Sequence, residues 1–197
     1  MSDPDQHDSR RRLDPSALSG LAHPLRVQLF QTLTHYGPAT ATQLAERLGE
    51  SSGSTSYHLR QLERYGFVET DPDRPSGRER WWRRVPGGVL IDTPDRDDDP
   101  AGYEAAKLVA GEIQRGRLDR HRTWLTTSEQ WPCEWREASG ELSANLALTS
   151  AELQQLTTEM NAVVEAWRAR LGTRVAGPDA IACEVQVSTF PLTPLEQ

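Results

Sequence analysis

The sequence predicts a mainly helical α+β protein of two domains, and three observations predict it. Residues 18–66 carry amphipathic helical patterns separated by turn residues. Residues 67–85 carry two short β-type runs around a loop of proline and glycine. After an acidic, proline-bearing stretch at 87–100, residues 101–197 return to longer helical patterns mixed with alternating runs.

Residues 1–14 are polar and charged, with Arg10, Arg11 and Arg12 in succession, and read as a disordered tail. Leu18 and Leu21 suggest a short helix. Leu21, Leu25, Leu29 and Leu33 stand four apart with Phe30 alongside, which is one apolar helical face over about 24–36. Pro24 suits the first turn, where its missing N–H costs nothing, and Gly37-Pro38 stops the helix. Thr40 and Gln43 form a capping-box pattern, in which each side chain satisfies the other's backbone N–H. Ala41, Leu44, Ala45 and Leu48 then make an inner stripe, and Gly49 ends that helix. The next helix is expected over about 54–65. Thr55, Leu59 and Leu62 face inward, Ser54, Tyr57, Gln61 and Arg64 fall on the other side, and Arg60 lies beside them. Residues 67–70 and 79–85 form two strands joined by the loop of Pro72, Pro75 and Gly77. Three helices and a two-stranded hairpin make a winged helix-turn-helix, expected over residues 15–86.

Residues 87–100 read as an acidic linker: like charges repel and prolines prevent helix. Residues 101–197 are expected to form an α+β domain. A long helix covers about 101–125, weakened by Gly111 and Gly116. Residues 131–137 and 142–148 read as strands, the second half-buried through Leu142, Ala144, Leu146 and Leu148. Thr149 and Glu152 form a second capping box before a helix bearing Leu153, Leu156, Met160, Val163, Val164, Trp167 and Leu171. Residues 181–190 alternate as a further strand. Trp124, Trp131, Trp135 and Trp167, with Met160, are expected to line a core or a dimer interface, with a pocket for a small effector as the alternative.

The net charge of -7 first argues against a polyanionic partner, but its distribution reverses that. Residues 1–86 hold 12 Arg against 11 Asp and Glu, whereas residues 87–197 hold 10 Lys and Arg against 18 Asp and Glu. Five arginines and one glutamate fall between Arg74 and Arg84. Only one lysine, Lys107, occurs, so the basic contacts on offer are guanidinium contacts, suited to bidentate recognition of phosphate or guanine.

With its Leu21-Ala-His-Pro-Leu-Arg26 segment and its Ser56-Tyr-His-Leu-Arg-Gln-Leu-Glu-Arg-Tyr-Gly-Phe-Val68 segment, the chain resembles the ArsR-like winged helix-turn-helix regulators. The resemblance spans residues 15–86. It implies a dimeric DNA-binding transcription factor, most often a repressor, of bacterial type. It also marks the C-terminal half as similar to the extra domain of members that sense no metal. The metal-sensing members place close cysteines in the helix corresponding to 40–48, and this chain has none there. Asp119 and His121 stand together, but no later histidine follows to complete a ligand set, so no metal is expected.

The expected DNA-binding residues are Ser54, Ser56, Tyr57, Arg60 and Gln61 on the helix, and Arg78, Arg80 and Arg84 on the hairpin. Gln can pair an adenine edge, Arg can grip phosphate or guanine, and the hydroxyls can reach phosphates. Ser56 is expected near the helix start. Strand alternation puts Arg80 and Arg84 on one side of the hairpin and Arg83 on the other. Trp81 and Trp82 are likewise opposed, one of them in the core. His58, beside the inner stripe, is expected to be partly buried and hydrogen-bonded.

No Ser-elbow, phosphate-cradling glycine loop, metal-ligand helix or dinucleotide fingerprint is present, so neither catalysis nor a cofactor is expected. No apolar run approaches the ~20 residues of a membrane span. The N-terminus lacks an apolar signal core, and Cys133 and Cys183 fit no disulfide framework, so a cytoplasmic protein is expected. Expected partners are double-stranded DNA, a second copy of the chain, and a small-molecule effector at the C-terminal domain. The alternatives are a chain whose main activity is ligand binding in residues 101–197, and a winged helix that binds proteins rather than DNA.

Overall fold

A computed structural model describes residues 11–12, 15–74, 79–86, 89–90, 94–172 and 180–192; for 11–12, 15–16 and 89–90 it describes the backbone alone. The chain divides into two compact units, Met1–Pro132 and Cys133–Gln197.

In the first unit, α1 (Pro15–Leu21) leads into α2 (Pro24–Tyr36). His23 caps α2: its Nδ1 accepts the backbone N–H of Leu25 at 3.2 Å, and Pro24 follows at the position where a missing N–H is harmless. The expected leucine face of α2 is buried, and Val27 joins it. The chain then forms β2 (Ala39–Thr40) and α3 (Ala41–Leu48). Thr40 and Gln43 make the capping box the sequence predicts, and Gly49 ends α3 at φ 68, a left-handed conformation that suits glycine.

Helix α4 spans Ser52–Arg64, so it begins two residues earlier than the sequence suggests. Ser51 is the cap, accepting from Ser54 N at 3.2 Å. Ser56 therefore lies within the helix rather than at its start. Thr55, Leu59 and Leu62 are buried, as their spacing requires.

β3 (Val68–Thr70) and β4 (Trp81–Arg84) pair antiparallel, Thr70 opposite Trp82 and Val68 opposite Arg84. The sheet has a third strand that no pattern in the sequence announces. β2 pairs with the other edge of β4, Ala39 opposite Trp82, giving the order β2-β4-β3. A two-residue strand carries no alternation to read, and only the partner strand defines it. Trp82, in the middle strand, is buried in the core with Phe67, Leu29, Leu44, Leu59 and Leu62. This unit is a winged helix-turn-helix, and the chain as a whole is mainly helical α+β.

Two segments differ from the expected tail and linker. β1 (Arg11–Arg12) pairs parallel with β5 (Val89–Leu90), so part of the basic triplet is held by backbone hydrogen bonds. Asp99 then caps α5 (Pro100–Thr127), its Oδ1 accepting from Gly102 N at 2.9 Å. Helix α5 packs on α1 and α2, burying Ala106 and Val109 in the same core. The boundary expected at residue 100 thus falls after a 3-10 turn, at Pro132. The linker composition misled because its aspartates serve as turn and cap rather than as a spacer. No helix among the described residues is long and apolar enough to cross a membrane.

The second unit contains α6 (Cys133–Ala138) and α7 (Ser150–Leu171). The capping box of Thr149 and Glu152 forms as predicted, and its backbone hydrogen bond holds the Glu152 carboxyl below its ordinary pKa. The expected strands do not form among the described residues. Residues 133–138 are helical, and 142–148 and 181–190 make no ladder. Alternation specifies a strand only where a partner completes its hydrogen bonds. The 181–190 segment is instead linked to α7 through the Thr157 and Thr189 hydroxyls, 2.6 Å apart. No described side chain of this unit is buried, so among the described residues Trp135 and Trp167 line no core. Leu142, Val185 and Phe190 are exposed, and so is Trp167, with Arg170 stacked on its ring.

Candidate nucleic-acid interface

Helix α4 stands on its buried stripe of Thr55, Leu59 and Leu62, which turns Tyr57 and Arg60 to solvent. Ser54, Ser56 and Gln61 are half-buried beside them. A cleft of about 320 Å³ opens between the starts of α3 and α4 and the wing. It is lined by Thr42, Ser52, Ser56, Arg60, Glu79 and Arg80, with Ala41 and Trp82 at its base. The cleft joins three of the predicted residues, Ser56, Arg60 and Arg80. Tyr57, Ser54 and Gln61 share the helix but lie outside the cleft. Arg78 lies outside the described residues. Arg84 is half-buried on β4 and does not line the cleft.

The wing arginines are engaged rather than loose. Arg80 donates from Nε to Thr70 Oγ1 at 2.6 Å and from Nη2 to Glu63 Oε1, and its guanidinium lies over the Trp82 ring, 4.2 Å from the centroid. Arg83 points to the other side, as strand alternation predicts. There it meets Glu69 at 2.8 Å, Asp73 at 3.2 Å and Asp71 at 3.6 Å. The Glu69 hydrogen bond, with these charges, holds the Arg83 pKa above its ordinary value. Asp71 is buried and also accepts the backbone N–H of Asp73, so it fixes the turn that starts the loop. Arg74 stacks on Trp81 at 4.3 Å.

His58 faces the opposite side of α4, where its ring lies 4.3 Å from that of His23 and 5.1 Å from that of Tyr57. The expected hydrogen bond is absent: among the described residues, buried Nδ1 has no partner. Burial, then the charges of His23 and Arg26, push the His58 pKa down, opposed by Glu50.

Sequence reasoning missed Glu63, Thr70, Glu79, Thr42 and Arg26. Arg26 is half-buried beside His58, Tyr57 and Tyr65, its Nη2 reaching the Ser19 carbonyl at 3.4 Å. Burial lowers its pKa. Its place straight after Pro24-Leu25, on the polar side of α2, was the available signal. Thr42 donates to Glu79 at 3.0 Å, a link between α3 and the wing that nothing local announces. Among the described residues no group of three or more His, Cys, Asp or Glu could hold a metal ion.

Residues 21–71 match a family described as a helix-turn-helix domain, which covers α2, α3, α4 and β3. A search of the curated proteins finds no match. Among solved structures the chain is similar to the transcriptional repressor BigR from Xylella fastidiosa, at 23% identity and TM-score 0.34, over 53% of this chain and 83% of that one. It is also similar to the YusO protein from Bacillus subtilis, at 13% identity and TM-score 0.32, over 77% and 84%. Wild-type MarR from E. coli gives 16% identity and TM-score 0.31, over 76% and 87%. None of these scores is high enough to establish a shared overall fold.

Proposed function

We propose that the chain is a sequence-specific DNA-binding transcriptional regulator of the ArsR-like kind, acting without enzymatic chemistry. One observation carries the reading. The exposed face of α4, with Tyr57 and Arg60, stands beside a wing whose Arg80 lines the same cleft as Arg60 and Ser56. A helix of this size fits the major groove, and guanidinium groups at its flank meet the phosphates. A winged helix that bound only proteins would have no use for arginines on this edge.

The regulator acts as a homodimer on an inverted repeat, with half-sites roughly 34 Å apart. The exposed apolar side chains of α7, Met160, Val163, Trp167 and Leu171, support dimerisation through the second unit, because a lone helix in water leaves such a stripe uncovered. Repression follows from covering a promoter, and that direction rests on the family resemblance. Selection of bound sites from random duplexes tests duplex binding, palindromic symmetry and half-site spacing together. A palindromic consensus is the expected result, and a chain that retains no duplex at low ionic strength overturns the proposal.

A further inference from the structure

We infer that Glu63 is a positioning residue for Arg80, holding its guanidinium ready for one backbone phosphate at the cleft. This rests on the DNA-binding reading and deepens it.

Arg80 precedes β4 and carries a long side chain that loses rotamer freedom when it is ordered. Three different elements restrain it. Glu63, in the last turn of α4, accepts from Nη2; Thr70, at the end of β3, accepts from Nε at 2.6 Å; and Trp82, buried in β4, supplies the stacking face. Trp82 is itself fixed by the ladders to Ala39 and Thr70. The guanidinium is therefore set relative to the helix that reads bases and to the sheet that carries the wing. The side chain is still 46% exposed and shares the cleft with Arg60, Ser52 and Ser56.

Arg83 makes the contrast plain. Its three carboxylate partners lie on the opposite side of the strand, away from the cleft. An ion pair this exposed adds little to folding stability, so the consequence of Glu63 lies in orientation. Charge alone predicts the reverse effect on binding. A carboxylate near a polyanion repels it, so deleting Glu63 would tighten the complex. Positioning predicts that deletion loosens it, because Arg80 must then be ordered at the moment of binding.

The test uses the full chain and a mixed-sequence duplex titrated over a series of salt concentrations. Glu63→Ala is expected to weaken binding about five- to tenfold, a coupling of ordinary size for contacting groups. It leaves the salt slope near wild type, because Arg80 still reaches the phosphate once bound, whereas Arg80→Ala lowers the slope by about 0.9, as loss of one phosphate contact does. Glu63→Gln stays near wild type, because its amide oxygen still accepts from Nη2. On an Arg80→Ala background, Glu63→Ala adds no further loss. Thr70→Val, which removes the second acceptor, weakens binding in the same direction and serves should Glu63→Ala fold poorly. Unchanged or tighter binding by Glu63→Ala, or an equal loss with Arg80 already gone, overturns the inference while leaving DNA binding intact. A wild-type chain that binds no duplex overturns the DNA-binding reading itself.

Discussion

The ring of His23, which caps α2, lies 4.3 Å from that of His58 on α4, so α4 rests on the capping residue of α2. The groups facing His58 are His23 and Arg26 from the α2 side, Tyr57 on its own helix and Glu50 from the turn. The pair therefore packs best with His58 neutral.

Stability should fall on mild acidification. The pKa of His58 is lowered on folding from its ordinary 6.5, so between the two values the unfolded chain binds more protons. The contribution is whole above about pH 6.5 and is lost as pH falls toward the folded value. Denaturant unfolding at several pH values should show this, with a smaller pH difference in His58→Phe. An equal pH dependence in that variant would remove His58 as the cause.

Gly20 is set by the ring of Tyr65. A Cβ at Gly20 would stand 2.3 Å from Tyr65 Cγ, and an aromatic ring cannot deform to make room. Gly20→Ala should cost about 1–3 kcal/mol through overpacking between α1 and the end of α4. A melting temperature equal to wild type would show that Tyr65 moves aside freely.

Arg83→Ala should leave the salt slope of duplex binding within experimental error, since its guanidinium is committed to Glu69, Asp71 and Asp73. Arg60→Ala, at the exposed cleft, should lower the slope by about 0.9. A fall of that size for Arg83→Ala would mean that the wing turns its other side to the DNA.

Gln61→Ala should relax base preference at one operator position by about 1–3 kcal/mol while leaving binding to random duplex nearly unchanged. Competition between consensus and random duplex measures the difference. Equal losses on both would assign Gln61 to phosphate contact or to packing.

A chain ending at Pro132 should unfold cooperatively, because it keeps α5 and with it Ala106 and Val109. It should sediment as a monomer and bind duplex weakly. A chain ending at Pro86 lacks these buried residues and exposes the faces of α1 and α2 they cover, so it should lose several kcal/mol of stability. Dimerisation of the longer fragment would refute the assignment of that role to the second unit.

The winged domain was legible because its signals are local. Leucines four apart on α2 and the stripe of α3 follow from 3.6 residues per turn. Thr40 with Gln43, and Thr149 with Glu152, cap their helices across three residues, so composition and spacing are enough. The acidic stretch before α5 and the alternating runs at 142–148 and 181–190 were misread for the opposite reason. Alternation and charge are equally compatible with a turn or extended chain when no partner strand is supplied.

The sequence by itself determined where α1 to α5 and α7 lie, which of their faces are apolar, and that arginine gathers at the hairpin. These depend on contacts between residues three or four apart. Only the tertiary structure decided which arginines face the cleft, that Ala39–Thr40 adds a third strand, and that α5 completes the first core. Arg80 is oriented by Glu63, Thr70 and Trp82, from three separate elements, and the chain holds many other carboxylates that a guanidinium could have met. Which of them it meets is fixed by packing, because folding brings distant residues together by burying apolar surface, and the ion pairs follow from that placement.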